Sequence, residues 1–122
     1  MFGIKVSITR CIDDTGPSFV ECEFRDASGF VDVFRDKDAI FSIENLDRNS
    51  EYPVDGVLGC EVLNKPTMQN PLTTRVDTKK PWGIESLNGK TIFEVNSELI
   101  VEFSHPADSN QTNITNDEHQ NL

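Results

Sequence analysis

Apolar and polar positions alternate with a period of two over most of the chain, and that period predicts strands rather than helices. Ile4, Val6, Ile8 and Ile12 mark a first strand, broken by the turn-rich run Asp13-Asp14-Thr15-Gly16-Pro17. A second strand places Val20, Cys22 and Phe24 on one face and Phe19, Glu21, Glu23 and Arg25 on the other. Asp26-Ala27-Ser28-Gly29 is a hairpin signal, because glycine takes a positive φ without a steric cost. Phe30 to Phe34 returns as a third strand. Arg35 to Asp38 is a mixed-charge connection, and Ala39 to Ile43 is short, apolar and read as a strand.

Alternation weakens from Glu44 to Glu51, and Pro53 with Gly56 marks a bend. Val57 to Leu63 is the next clear strand, with Gly59 inside it as the mark of a bulge or tight bend. Asn64 to Pro71 reads as a loop and Thr73 to Thr78 as β-prone. Asn88-Gly89 is a strong hairpin signal joining Pro81–Ser86 to Thr91–Val95. Ser97 caps one helical turn, or Leu99, Val101 and Phe103 make a final strand. About seven strands with little helix predict a mainly β fold, an antiparallel barrel or half-open sandwich. Its length suits a single domain over residues 1–103. Residues 104–122 form a polar tail that cannot bury enough surface to offset ordering and is expected to be mobile.

Charge narrows the partners. The formal net charge is −10 from 21 acids and 11 bases. Residues 1–61 hold 13 acids and 6 bases, residues 62–103 hold 5 of each, and the tail holds 3 acids and no base. This balance repels phosphate backbones and anionic lipid surfaces and attracts a basic protein, so neither nucleic acid nor membrane is the expected partner. No apolar run reaches the roughly 20 residues of a membrane helix, and the first residues lack the basic start and apolar run of a secretory signal. A cytoplasmic location is expected.

No recognisable catalytic machinery emerges. His105 and His119 lie in or beside the tail, a poor platform for a rigid triad. Cys11, Cys22 and Cys60 match no zinc spacing. Cys22 and Cys60 run in phase with apolar neighbours and are expected to be buried thiols, whereas Cys11 falls out of phase, either at a bulge or facing solvent. Asp13-Asp14-Thr15-Gly16 lacks the further ligands of a calcium loop. No cofactor or metal is expected.

Two surfaces remain. Glu21 and Glu23 share a strand face, and hairpin geometry can bring Asp32, Asp36 and Asp38 to them, with Phe19, Phe30 and Phe34 interleaved by parity. Acids around aromatic anchors suit a protein interface, although a sheet covered on both sides would hide the rings. The same carboxylates, held close, could form an acid–base pair in a small barrel that binds a metabolite. Trp82 beside Lys79 and Lys80 could stack single-stranded nucleic acid on an OB-like barrel, or plug the core under a Pro-Gly turn.

The stretches 11–22, Tyr52-Pro53 and 76–86 resemble a group of small bacterial proteins of unassigned activity, over about residues 4–95, and carry over no site residues. The small, acidic profile is also similar to the immunity proteins of contact-dependent growth inhibition and related toxin systems. That likeness implies a cytoplasmic inhibitor of a basic toxin domain, commonly a nuclease. The expected contacts are Glu21, Glu23, Asp32, Asp36, Asp38, Phe19 and Phe34.

Overall fold

The computed structural model describes residues 1–64, 68 and 72–103. The tail expected to be mobile and both histidines lie outside the described residues, as does most of the loop that begins at Asn64.

Seven strands form the body: β1 (Phe2–Asp13), β2 (Phe19–Arg25), β3 (Val31–Lys37), β4 (Val54–Asn64), β5 (Thr73–Asp77), β6 (Ile92–Asn96) and β7 (Ile100–Glu102). They make one antiparallel sheet in the order β3-β2-β1-β4-β5-β6, with β7 on β1, curled into a half-open barrel. The mainly β reading therefore holds. No helix among the described residues is long and apolar enough to cross a membrane.

The core is the inner face that the alternation predicted. Ile4, Val6, Ile8, Val20, Cys22, Phe24, Leu58, Cys60, Phe93 and Val95 are buried. Phe24 stacks on Phe34 with ring centroids 5.6 Å apart, and Phe93 meets both rings edge-on. The curled edges are drawn together at one end. Leu87 N–H donates to Val33 O, and Ala27 N–H donates to Glu94 O. This end of the barrel is called the seam below.

Several expectations need correction. Ala39 to Ile43 is not a strand. Asp38–Phe41 is one helical turn, α1, and Asp38 Oδ2 accepts the Leu46 N–H to fold the next loop back. With this turn in place Phe41 and Leu46 lie in the core while Ile43 is left exposed. The strand expected from Val57 begins at Val54, so Gly56 lies within it and is no bend. A Cβ there would lie 2.8 Å from Phe41 O, so glycine is what lets α1 approach. The pairing of β1 with β4 runs unbroken through Gly59, so no bulge occurs there.

Register shifts fall instead in β1, between Ile8 and Arg10 and between Cys11 and Asp13, and further along β4, between Val62 and Asn64. Those in β1 turn Ile12 out to 39% exposure and leave Cys11 half-buried. Asn88-Gly89 does turn the chain, with Gly89 at φ 78°. Ser86 N–H donates to Lys90 O across the turn, but the flanks do not continue as paired strands: β6 pairs with β5, and 81–86 is not a strand. Both readings of Ser97 are realised in succession, a 3₁₀ turn at Ser97–Leu99 and then β7.

Candidate functional site

The hairpin register decides where the expected contact residues lie. Residues 26–30 connect Arg25 to its partner Val31, which sets Glu23 opposite Val33, Cys22 opposite Phe34 and Phe24 opposite Asp32. Directly opposite residues share a face. Asp32 and Phe34 therefore point into the core with Phe24 and Cys22, and not outward with Glu21 and Glu23. Both are essentially inaccessible, at 1% and 0% exposure. Asp36, opposite Val20, shares that inward parity and is half-buried, while Asp38 starts α1. The expected five-acid face does not exist. Phe19 is partly exposed at the far end of β2, and Phe30 precedes β3 at a turn whose Asp26 Oδ1 accepts its N–H.

Glu21 is also neutralised. Arg10 and Arg35 flank it, with nitrogen–oxygen distances of 3.2 and 2.9 Å. Burial works against its charge, but the bonds from these two guanidinium groups hold the carboxyl below the usual glutamate range. Glu23 stays on the outer face. It lines a groove of about 320 Å³ with Lys5, Arg25 and Glu98, a lining of both signs.

Asp32 lies inside the seam. Its nearest cation is Lys90 Nζ at 3.6 Å, and neither carboxylate oxygen has a hydrogen-bond partner. Lys90 reaches it from the Ser86–Lys90 turn and rests over the Phe30 and Phe93 rings, 5.5 and 5.1 Å from their centroids. Burial, and then the neighbouring Asp26, push the Asp32 carboxyl above the usual aspartate range, and Lys90 offsets only part of this. Asp26 moves the other way. Burial opposes its charge, but bonds from Ser28 and Phe30 outweigh it. Two carboxyls driven apart in this way can divide acid and base roles. None of the three cavities described here is lined by either of them.

The opposite end of the barrel carries the surplus charge. Residues 13–18 and 36–55 hold eight acids (Asp13, Asp14, Asp36, Asp38, Glu44, Asp47, Glu51, Asp55) and two bases (Lys37, Arg48), a net of 2 − 8 = −6. Strand directions bring them together. β1 and β3 end here, β2 and β4 begin here, and Asp38 N–H donates to Ser18 O across the gap. Arg48 binds Asp14 at 2.7 Å and ties the two loops. That bond holds the Asp14 carboxyl below its usual range, and bonds from Thr15 do the same for Asp13. The other acids of this end have no ion pair among the described residues.

An apolar groove opens beside these acids. It holds about 210 Å³ and is lined by Ala39, Ile40, Phe41, Ile43, Val57 and Phe103, with Glu44 and Asp55 on its rim. Ile43 is 79% exposed, against 3% for Phe41. Sequence reasoning found Asp36 and Asp38 but missed Glu44, Asp47, Glu51, Asp55 and Ile43. The signal was present as a run of acids broken by one arginine, exactly where alternation faded and no element could be drawn.

The remaining candidates resolve structurally. Asp13 accepts from the Thr15 N–H and hydroxyl, as an ordinary acidic turn does. No group of three or more metal-ligating side chains occurs among the described residues. Cys22 and Cys60 are buried as expected, and desolvation pushes the Cys60 thiol up to about 12. Desolvation also raises the half-buried Cys11, so it is not an activated thiol. Trp82 lies over Gly59, where a Cβ would come 3.0 Å from Nε1, so the ring packs on β4 rather than standing free as a platform. No protein-family model matches the chain, and no curated protein or solved structure is significantly similar to it.

Proposed function

We propose that the chain is a non-catalytic binding protein of the immunity type, which neutralises a basic toxin domain by covering its active-site groove. One observation carries this reading: the loops at one end of the barrel hold eight carboxylates against two bases, and beside them lies an apolar groove with an exposed isoleucine and with Glu44 and Asp55 on its rim. Apolar anchors supply affinity once water is excluded, and the surrounding charge selects and steers a cationic partner. A nuclease-type groove, built to hold phosphates, presents the complementary cations.

The contact surface in this proposal differs from the one read from sequence. Asp36 and Asp38 stay in it, and Glu44, Asp47, Glu51, Asp55 and Ile43 join it. Asp32 and Phe34 leave it because they are buried, and Glu21 because two arginines already hold it. Glu23 leaves it because it lines a different groove on the outer face, whereas Phe19, partly exposed at the start of β2, lies at this end and stays in it.

Growth rescue tests the proposal. Reading frames neighbouring its gene are screened for one that encodes a growth-arresting basic domain, and the chain is co-expressed with that domain in wild-type form and with Glu44, Glu51 and Asp55 changed to lysine. Rescue by the wild type and its loss in the triple variant are expected. Full rescue by the triple variant would remove this end from the mechanism.

A competing reading, a small barrel working through a carboxylate pair, is favoured by the opposed shifts of Asp26 and Asp32. Turnover by such a pair needs an opening for substrate, and Asp32 is sealed under Lys90, Phe30 and Phe93.

A further inference from the structure

The groove beside α1 is bounded by a strand edge. β1 covers one side of β4 from Val54 to Cys60, in unbroken register from Ile8 to Phe2. On the other side, β5 pairs with β4 only at Glu61, Val62 and Asn64. Among the described residues, no backbone hydrogen bond joins residues 54–60 to another element on that second side. Asp55, Gly56 and Val57 of this edge form one wall of the groove, and Ala39 to Glu44 form the opposite wall. An open edge leaves alternate N–H and C=O groups of the strand without a protein partner, which is the template that strand addition uses.

We infer that the partner enters this groove as an extended segment of alternating basic and apolar residues, which adds as a strand to the edge of β4. This deepens the preceding proposal and rests on it, since it takes the acidic end as the partner surface. Main-chain bonds to Val54–Val57 supply the pairing, since Leu58, Gly59 and Cys60 beyond them are buried. The apolar side chains of the segment meet Ile40, Ile43 and Val57, and its cations meet Glu44 and Asp55 on the rim. No lysine or arginine is among the described residues that line the groove.

A second copy of the chain is a poor occupant. Antiparallel pairing of two such edges brings two sets of Asp55 and Glu44 together, between molecules that each carry a net charge of −10. Like charges close together in a pairing are destabilising.

The test uses the full chain, labelled for amide detection, and a synthetic peptide of about nine residues that alternates lysine with valine or isoleucine. At low salt the peptide is expected to shift amides within 54–57, to protect those that point away from β1, and to shift those of 39–44. N-methylating alternate peptide bonds removes the donors that strand addition needs, so affinity should fall about tenfold or more. Ile43→Lys places a cation in the groove without touching the core, and it should weaken the unmodified peptide by about tenfold.

Each contrary result is distinct. Binding that shifts only loops 13–18 and 47–51, and is indifferent to N-methylation, overturns strand addition while leaving the acidic end as a partner surface. Binding at neither place overturns both. Protection in the free chain of the 54–57 amides that point away from β1, whether from dimerisation or from the chain's own remaining residues, also overturns the inference, because the edge would already be taken.

Discussion

The two ends of the barrel use aspartate in opposite ways. At the seam, residues 25–32 and 77–94 hold five acids and four bases, a net of −1. There Asp32 is sealed inside against Lys90, and backbone bonds draw the sheet edges together over it. At the other end the net is −6, one acid of eight is ion-paired, and an apolar groove lies open. At the seam acids and bases nearly balance, whereas the α1 end keeps a surplus of six negative charges. On the proposed reading, the same residue type serves structure at one end and recognition at the other, according to the face its local turn assigns.

If that division is right, core damage should separate the ends most sharply. Phe34→Ala empties the centre of the Phe24–Phe34–Phe93 cluster under the seam, and should cost about 3–5 kcal/mol in urea unfolding. Ile43→Ala at the α1 end should stay within about 0.5 kcal/mol, because the side chain is mostly in water. A large stability loss from Ile43→Ala would show that the groove residue is structural and would erase the contrast.

Charge reversal gives the next effect. Changing Glu44, Glu51 and Asp55 to lysine moves the net charge from −10 to −4, as does changing Glu61, Glu85 and Glu98 elsewhere on the surface (each reversal adds two). The first variant should weaken association with the basic toxin domain about 10–100-fold, mainly through a slower on-rate. The second should lose far less. Equal losses in calorimetric titration would mean that net charge acts, and that its placement does not.

How much of this could be read in the sequence follows from which signals are local. Period two located β1, β2, β3 and most of β4, because each strand buries one face and the alternation records it. Parity across the hairpin was not legible. Moving the pairing by one residue between Arg25 and Val31 carries Asp32 and Phe34 from the surface to the core, and the turn residues alone did not show which register holds. The α1 turn was hidden for a related reason. Ala39, Ile40 and Phe41 suit a strand as well as a helix, and the deciding bond, Leu46 N–H to Asp38 Oδ2, closes over eight residues. The acidic end was visible as composition but not as a place, since it is assembled from two segments joined by Arg48 and Asp14.

A smaller effect probes the seam's pairing directly. Lys90→Met keeps most of the apolar cover over Phe93 and removes the cation nearest a buried carboxylate. Breaking a fully buried pair costs more, but Lys90 is half-exposed, so about 1–2 kcal/mol is expected near neutral pH. Adding Asp32→Asn should recover part of that loss, because no buried charge is then left alone. Additive losses in this double-mutant cycle would mean that the two groups do not interact and that the seam is held by packing only.

The finest distinction is the sign of the pH response, and it separates the two ends without any partner present. Asp32 has a raised pKa in the folded chain, so between the ordinary aspartate value and that raised value the folded state holds the proton and the unfolded state does not. Stability from this group is complete below the ordinary value and is lost as pH rises through the folded one. Asp13 and Asp14 are depressed by their hydrogen bonds, so their contribution is present above the ordinary value and is lost as pH falls. Asp32→Asn should therefore gain stability relative to wild type on going from acid to neutral pH, since the wild type alone must then bury a charge. Asp14→Asn should lose relative to wild type over the same range. Paired urea titrations at acid and neutral pH read both differences, and slopes of the same sign would mean that the two ends do not hold their carboxyls in opposite environments.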